Sequence, residues 1–359
     1  MPILFKYSLL LSPLVFLSGC TLPGAVTVTD GGVFRSTDRA STWEPRIFVD
    51  TVKNKPVTIA NTTILDMEFD PKNPDILFVG TGNKGGFKSS NAGEKWEAFG
   101  PREGALNLIA ISPKNSDEMY IARGNSVFKT TDGGKNFSNI YAESRGVAIT
   151  SLELDLLDSN RIYMGLADGA LIRSTNGGVS WSIIKSAENR IEKIVIDPRD
   201  SKKIYVFTQS KGIFKSIDFG ANWIEIRSVL SERFTDSLIF KDALLDPSRS
   251  DTIYYASKYG ILKSTNGAAD WDALALLTPP GSIEIFSLAV DPKNPKVIYY
   301  TTPGKIYISV DGAQTWSIKS LPTSQSVKVL RADPRLGDTL YLGAGGAISA
   351  GKSNNTFGF

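Results

Sequence analysis

Hydrophobic and polar positions alternate along the chain in short runs, as in Ile191 to Ile196 and Gly212 to Ser216. The runs are rich in β-branched and aromatic residues and are broken by Asp-Pro or Asn-Gly, so they predict strands joined by tight turns. Aligned by counting back from Asp-Pro, the run before it is apolar at positions −1 and −3 in every copy: Phe69/Met67, Ile111/Ile109, Leu154/Leu152, Ile196/Ile194, Leu245/Ala243, Val290/Leu288 and Ala332/Leu330. That parity predicts a face buried between units.

Two motifs interleave. The first, Ser/Thr-x-Asp/Asn-x-Gly/Ala-x-x-Trp/Phe, closes on Trp43, Trp96, Phe137, Trp181, Trp223, Trp271 and Trp316, at intervals of 53, 41, 44, 42, 48 and 45 residues. The second is an apolar strand, Asp-Pro, then Ile/Leu-Tyr/Phe. It is clearest at Asp70-Pro71, Asp197-Pro198, Asp246-Pro247, Asp291-Pro292 and Asp333-Pro334, and weaker at Ser112-Pro113 and Asp155. Each unit predicts four short strands: one before Asp-Pro, one carrying the Ile-Tyr pair, one of the Gly-Ile-Phe-Lys-Ser type, and one starting at the Trp. A four-stranded unit of about 40–45 residues is a β-propeller blade. The expected fold is all-β, a seven-bladed β-propeller of four-stranded antiparallel blades.

The first motif resembles the Asp-box (BNR) hairpin. Combined with Asp-Pro…Ile-Tyr, it resembles the propellers of sortilin-type receptors, xyloglucanases and photosystem II assembly/stability-factor lipoproteins, over about residues 26–345. The resemblance is specific for fold; one fold hosts unrelated activities. The box itself needs no ligand. Its Asp or Asn accepts backbone N–H bonds in the turn between strands three and four, and the Gly tolerates a positive φ. Asp38, Asn91, Asp132, Asn176, Asp218, Asn266 and Asp311 are therefore expected to be structural; amides at three of the seven positions argue against a metal or acid role.

Ring closure has two solutions. Gly32 to Pro45 supplies strands three and four while the Asp333 stretch supplies strands one and two, so the two ends complete one blade and remove open sheet edges. Alternatively Gly346 to Phe357 is a decayed third strand and box, and the last blade closes on itself.

Composition narrows the chemistry. The 359 residues include no His and one Cys, which excludes His-based triads, His-ligated zinc, disulfides and thiolate clusters. With 40 Lys+Arg against 37 Asp+Glu, the net charge of +3 gives no reason to expect nucleic acid. No cofactor and no metal are expected. Lys6 and the apolar run Leu9 to Leu17 are too short to span a bilayer and fit a signal peptide. The run ends in Leu17-Ser18-Gly19-Cys20, which resembles the bacterial lipobox, whose Cys is diacylated. The expected organisation is a lipoprotein signal peptide over 1–19, a lipidated linker over 20–25 anchored to the membrane through Cys20, and one propeller over 26–359. Thr21 rather than Asp after the Cys would suggest outer-membrane sorting in a Gram-negative lipoprotein, so the expected location is the periplasmic side of the outer membrane or the cell surface.

Strand one lies nearest a propeller's axis. Its positions −2 and −4 hold Glu68, Glu153 and Arg331, and Asp66, Lys193 and Asp242, with Ser151 and Ser287 adding hydroxyls. These are the candidate ligand-binding residues. Asp66, Glu68 and Asp242 could form the carboxylate set that glycoside hydrolysis requires; the scattered polar positions favour the plainer reading, a water-filled channel that needs polar walls, with Lys193 and Arg331 balancing the acids. All six Trp fall in boxes, leaving none for exposed sugar-stacking platforms. No sialidase Arg-Ile-Pro start is found in the sequence, and a second propeller of the xyloglucanase kind is not expected. The loop 226–240 offers Glu232, Arg233, Phe234 and Asp236 as a contact set, and Lys84, Arg102, Arg123, Arg145 and Arg190 form a basic arc on the same rim. The expected function is a non-catalytic protein-binding or assembly module of the cell envelope, with an envelope protein or complex as partner. The alternative is a secreted glycoside hydrolase, xyloglucanase- or sialidase-like, with a glycan as its ligand.

Overall fold

The computed structural model describes residues 30–345. They form a closed ring of seven antiparallel four-stranded blades, with the single turn of helix Ser228–Ser231 as the only helix among the described residues. The innermost strands, in chain order, are Ile64–Phe69 (blade 1), Leu108–Ile111 (blade 2), Ile149–Leu154 (blade 3), Ile191–Ile196 (blade 4), Phe240–Leu245 (blade 5), Ser287–Val290 (blade 6) and Val327–Ala332 (blade 7). Each innermost strand adjoins the next, and blade 7 adjoins blade 1. Blade 7 joins the two ends of the described chain: Val327–Ala332 and Leu340–Ala344 supply its inner half, Gly32–Ser36 and Glu44–Pro45 its outer half. The ladder between the halves runs from Gly32 opposite Ala344 to Ser36 opposite Leu340. This is the first of the two closures; residues 346–357 and Cys20 lie outside the described residues.

The −3 side chains (Met67, Ile109, Leu152, Ile194, Ala243, Leu288, Leu330) are buried all round the ring. At −1, Phe69, Leu245 and Ala332 are half-buried where they reach the channel mouth.

The box turns explain their own sequence. In all seven, the two residues after the Asp/Asn both have positive φ, from Arg39 and Ala40 (54° and 59°) to Gly312 and Ala313 (80° and 73°). The Asp/Asn side chain holds that conformation by accepting the backbone N–H four residues on, at 2.8 Å for Asp38, 2.9 Å for Asp218 and 3.0 Å for Asn91. The preceding Ser or Thr hydroxyl accepts a second amide, Gly220 onto Ser216 at 2.8 Å. Gly178 shows why glycine suits the site: its φ is +89°, and a Cβ would lie 2.5 Å from Ile140 Cδ1 of the previous blade.

Blades are also clamped edge to edge. The basic residue of strand three reaches the turn carbonyl of the next blade's box: Arg173 to Phe219 at 2.7 Å and Lys215 to Gly267 at 2.6 Å. The tyrosine of the Ile-Tyr pair donates to the same carbonyls, Tyr163 to Phe219 at 3.1 Å and Tyr120 to Gly177 at 3.3 Å. Lys129 and Lys215 also sit over the rings of Tyr120 and Tyr205. The Asp of Asp-Pro is buried at Asp70, Asp197, Asp246, Asp291 and Asp333, as is Asp155 at the corresponding position before Leu156, and it caps its own turn, as in Asp291 accepting the Lys293 amide at 2.8 Å.

Candidate functional site: the central channel

Strand one of each blade runs down the channel wall toward its Asp-Pro turn. In five blades its ladder with strand two skips one residue, at Leu65, Thr150, Glu192, Lys241 and Lys328. Such a bulge re-aims the residue that follows it. In blades 1, 3 and 5 that residue hydrogen-bonds across the blade boundary to the −3 backbone amide of the next blade. Asp66 Oδ2 accepts from Ile109 at 2.8 Å, Ser151 Oγ from Ile194 at 2.9 Å, and Asp242 Oδ2 from Leu288 at 2.9 Å. The other oxygens of Asp66 and Asp242 each take the amide of the following residue in the chain. Ser287 adds its hydroxyl to Asp242 at 3.2 Å. These −4 side chains staple inner strands together.

The charged residues group in two places. Arg331 of blade 7 lies 3.2 Å from Glu68 and 3.6 Å from Asp66. Lys193 of blade 4 lies 2.8 Å from Asp242. Asp66 and Glu68 thus share one cation, while Asp242, on the far side of the ring in blade 5, has another; the three carboxylates do not gather into one set. Glu153 of blade 3 has no hydrogen-bond or ion-pair partner among the described residues.

Burial and charge set the protonation states. Burial, then the Glu68 carboxylate, pushes Asp66 up to about 7, against the pull of Arg331 and two amides. Burial, then Glu68, pushes Glu153 up to about 8. Burial would raise Asp242 too, but Lys193 and the Leu288 amide hold it below the ordinary carboxylate value. Arg331 is half-buried, and the surrounding acids, Glu68 first, hold its charge more firmly than usual despite that burial.

The cavity has two adjoining sections. The one toward the starts of the inner strands measures about 390 Å³ and is lined by Asp66, Asp242, Ser287 and Lys328. The one toward the Asp-Pro turns measures about 780 Å³ and is lined by prolines and by Leu156, Leu244 and Val290. Glu68, Glu153, Lys193 and Arg331 line both. Among the described residues, no group of three or more His, Cys, Asp or Glu is placed to hold a metal ion.

At the rim, Phe234 is buried and packs edge-on against Tyr259, with ring centroids 5.2 Å apart. It therefore cannot serve as the exposed aromatic contact expected of the 226–240 loop. The turn Ser228–Ser231 folds Leu230 and Phe234 into the core of blades 4 and 5 and leaves Glu232 and Arg233 outside. Asp236 is paired with Lys258 at 2.8 Å. The basic arc is partly neutralised: Arg145 pairs with Glu143 and Asp168, Arg190 with Glu192, and Arg123 donates to the backbone of Ala105 and Glu103. Lys84 and Arg102 form no ion pair among the described residues. The 46–63 loop, which carries no predicted site residue, forms a hairpin, Phe48–Val52 with Lys55–Thr58, whose base at Ile47, Ile59 and Ala60 is buried in a core cluster shared with Met67 and Trp96.

The family model for the photosynthesis system II assembly factor YCF48 matches residues 50–233, just over half of the chain. The chain belongs to the YCF48 family. Among curated proteins, no sequence matches it. Among solved structures it resembles YCF48 bound to a D1 peptide (17% identity, TM-score 0.60), covering 83% of this chain and 95% of that one. It also resembles YCF48 from Cyanidioschyzon merolae (16% identity, TM-score 0.63), covering 80% and 94%. The GH74 xyloglucanase from Xanthomonas campestris shares 18% identity and a TM-score of 0.66 over 80% of this chain, which spans about half, 51%, of the enzyme. At these identities the structural likenesses establish the fold; the family assignment rests on the sequence model.

Proposed function

We propose that this member of the YCF48 family is an exported, lipid-anchored propeller that binds a protein or protein complex of the cell envelope and assists its assembly, without catalysis. The observation that carries this reading is family membership, joined to a YCF48 propeller of nearly the same extent that holds a peptide. The channel chemistry supports it. Asp66 and Asp242, two of the three carboxylates a hydrolase would draw on, are each committed to two backbone amides and a cation, which leaves them little freedom to exchange roles during a reaction. The anchor belongs to the same proposal: diacylation of Cys20 would hold the ring at a membrane surface.

The test is affinity capture of the lipidated protein from its own envelope, read by mass spectrometry beside a glycan array. Metabolic labelling with palmitate, in the natural chain and in Cys20→Ala, checks the anchor. The glycoside hydrolase reading retains one favourable feature, two channel acids whose protonation persists to near-neutral pH, Asp66 and Glu153. Hydrolysis of a β-glucan that Glu153→Gln abolishes would establish it.

A further inference from the structure

The chain enters the ring at one particular rim. Asp30 accepts the Ser324 backbone amide at 2.8 Å and the Ser324 hydroxyl, and its own carbonyl accepts the Thr323 hydroxyl. Thr323 and Ser324 lie in the loop between the outermost strand of blade 6 and the innermost strand of blade 7, on the rim where the inner strands start. Ten residues separate Asp30 from Cys20, at most about 35 Å of extended chain. A tether serving the Asp-Pro face instead would first use up the depth of the ring, roughly 20 Å for a six-residue inner strand before its turns are added.

The two faces also differ in charge. Counting every turn with one strand residue on either side, the tether rim outside the 46–63 loop holds ten Lys or Arg against eight Asp or Glu. The face of the Asp-Pro and box turns holds thirteen against twenty-two. On the tether rim Arg102, Arg227, Arg233 and Lys305 are exposed and paired with no acid among the described residues; Glu103 and Glu232 are its unpaired acids. Leu277, 54% exposed, belongs to the same rim with Pro279 and Pro280, in the loop between blades 5 and 6, and Ile239 is exposed at the end of the loop before it. An acyl chain joined to a basic surface is the pair of signals that holds a protein stably on an anionic bilayer, and exposed apolar side chains add to it.

We propose that the tether rim lies against the anionic headgroups of the membrane that holds Cys20, with Leu277 and Ile239 at the headgroup boundary, and that the Asp-Pro face is turned away from the bilayer toward the partner. This rests on the lipid-anchored, protein-binding reading above and gives it an orientation. An acidic protein would meet the same cations, but the tether decides between the two. Asp30 fixes the tether's exit on this rim, so the rim stays within a tether's length of the acyl chains, and the acid-rich face opposite is the one an anionic surface repels.

The experiment uses the lipidated full chain, reconstituted in vesicles of phosphatidylcholine alone or with one third phosphatidylglycerol. Acylation consumes the Cys20 thiol, so one introduced cysteine carries a fluorophore: Ser210→Cys on the tether rim, or Lys202→Cys at the Asp-Pro turn of the same blade, both exposed positions. Quenching by lipid spin-labelled at the headgroup reports which end of blade 4 lies near the bilayer. With phosphatidylglycerol present, the Ser210→Cys label is expected to be quenched roughly threefold more than the Lys202→Cys label, and high salt to shrink the difference. Joint replacement of Arg102→Glu, Arg233→Glu and Lys305→Glu, with the fold checked by circular dichroism, is expected to remove the difference while the anchor keeps the protein on the vesicles. Equal quenching of the two labels, stronger quenching at Lys202→Cys, or a difference unmoved by lipid charge and by the three replacements overturns the proposal. In the last case, loss of the protein partner from envelope capture of the triple variant would assign the rim to that protein. If palmitate labelling finds no lipid on Cys20, the anchor reading falls separately. Flotation of the unlipidated chain with phosphatidylglycerol vesicles then decides the rim: binding that the triple variant loses sustains the contact, and no binding overturns it.

Discussion

The carboxylate of Asp242 in blade 5 accepts a hydrogen bond of 2.9 Å from the backbone amide of Leu288 in blade 6, and the same carboxylate holds Lys193 of blade 4 at 2.8 Å. One side chain therefore ties three successive blades together at the axis. Removing it leaves a mostly buried amide and a half-buried ammonium without their acceptor. Asp242→Ala is expected to cost about 3 kcal/mol of folding stability, the scale for breaking a buried ion pair from one side. Asp242→Asn keeps the amide's acceptor and should cost less than half as much. Urea unfolding of the two variants checks the order; equal losses, or no loss, would remove the staple.

Channel protonation gives stability a distinctive pH dependence. For Glu153 and Asp66 the folded values, about 8 and about 7, lie above the roughly 4 of an unfolded carboxyl. Between those limits the folded state binds more protons, so stability falls as pH rises from about 4 to about 8. Glu153→Gln mimics the protonated acid and is expected to flatten that decline and raise the melting temperature at pH 8 by a few degrees. Melting curves across pH 5–8.5 for both chains test this; parallel curves would mean that Glu153 titrates normally.

Box aspartates act in the opposite direction. Thr42 and Asn222 amides hold Asp38 and Asp218 down at about 2, so their contribution is complete above the unfolded value near 4 and is lost as pH falls toward 2. Because Asn91, Asn176 and Asn266 make the same turn bonds without a charge, Asp218→Asn should fold normally at pH 7 and lose less stability than the natural chain between pH 4 and 2. A steeper acid loss in Asp218→Asn would show that the charge, and not the turn geometry, is what the position needs.

The box turn also sets a backbone preference. Ala313 sits at φ +73°, a conformation that costs an L-residue about 1 kcal/mol relative to glycine. Ala313→Gly should therefore stabilise the fold by up to about 1 kcal/mol, while Gly178→Ala should destabilise it by more, because the new methyl also meets Ile140. Thermal unfolding of the pair decides the sign of each.

Architecture was legible because its determinants are local and repeated. Asp-Pro, Ile-Tyr and the box each act within a few residues, and seven copies at a blade-sized interval leave one fold. The −3 positions read as core for the same reason. The staples at Asp66, Ser151 and Asp242 were not legible, because they depend on a bulge one residue upstream, and nothing in Leu65, Thr150 or Lys241 marks an unpaired position. Counting parity placed these side chains simply on the channel wall. Phe234 was misplaced because a four-residue turn, too short to show a period, folds it inward. The basic clamps from Arg173 and Lys215 carried a signal that could have been used: the strand-three Lys or Arg recurs at a fixed offset from the box, as regular as the Trp.

The most direct test of the protein-binding role is affinity capture of the lipidated protein from its own envelope, with mass spectrometry of what is retained and glycan-array binding measured in parallel. The expected result is one or a few recurrent partners in near-stoichiometric amount, and no glycan retained. No recurrent protein partner, together with glycan binding and cleavage that Glu153→Gln or Asp66→Asn abolishes, would contradict it and make the channel an active site.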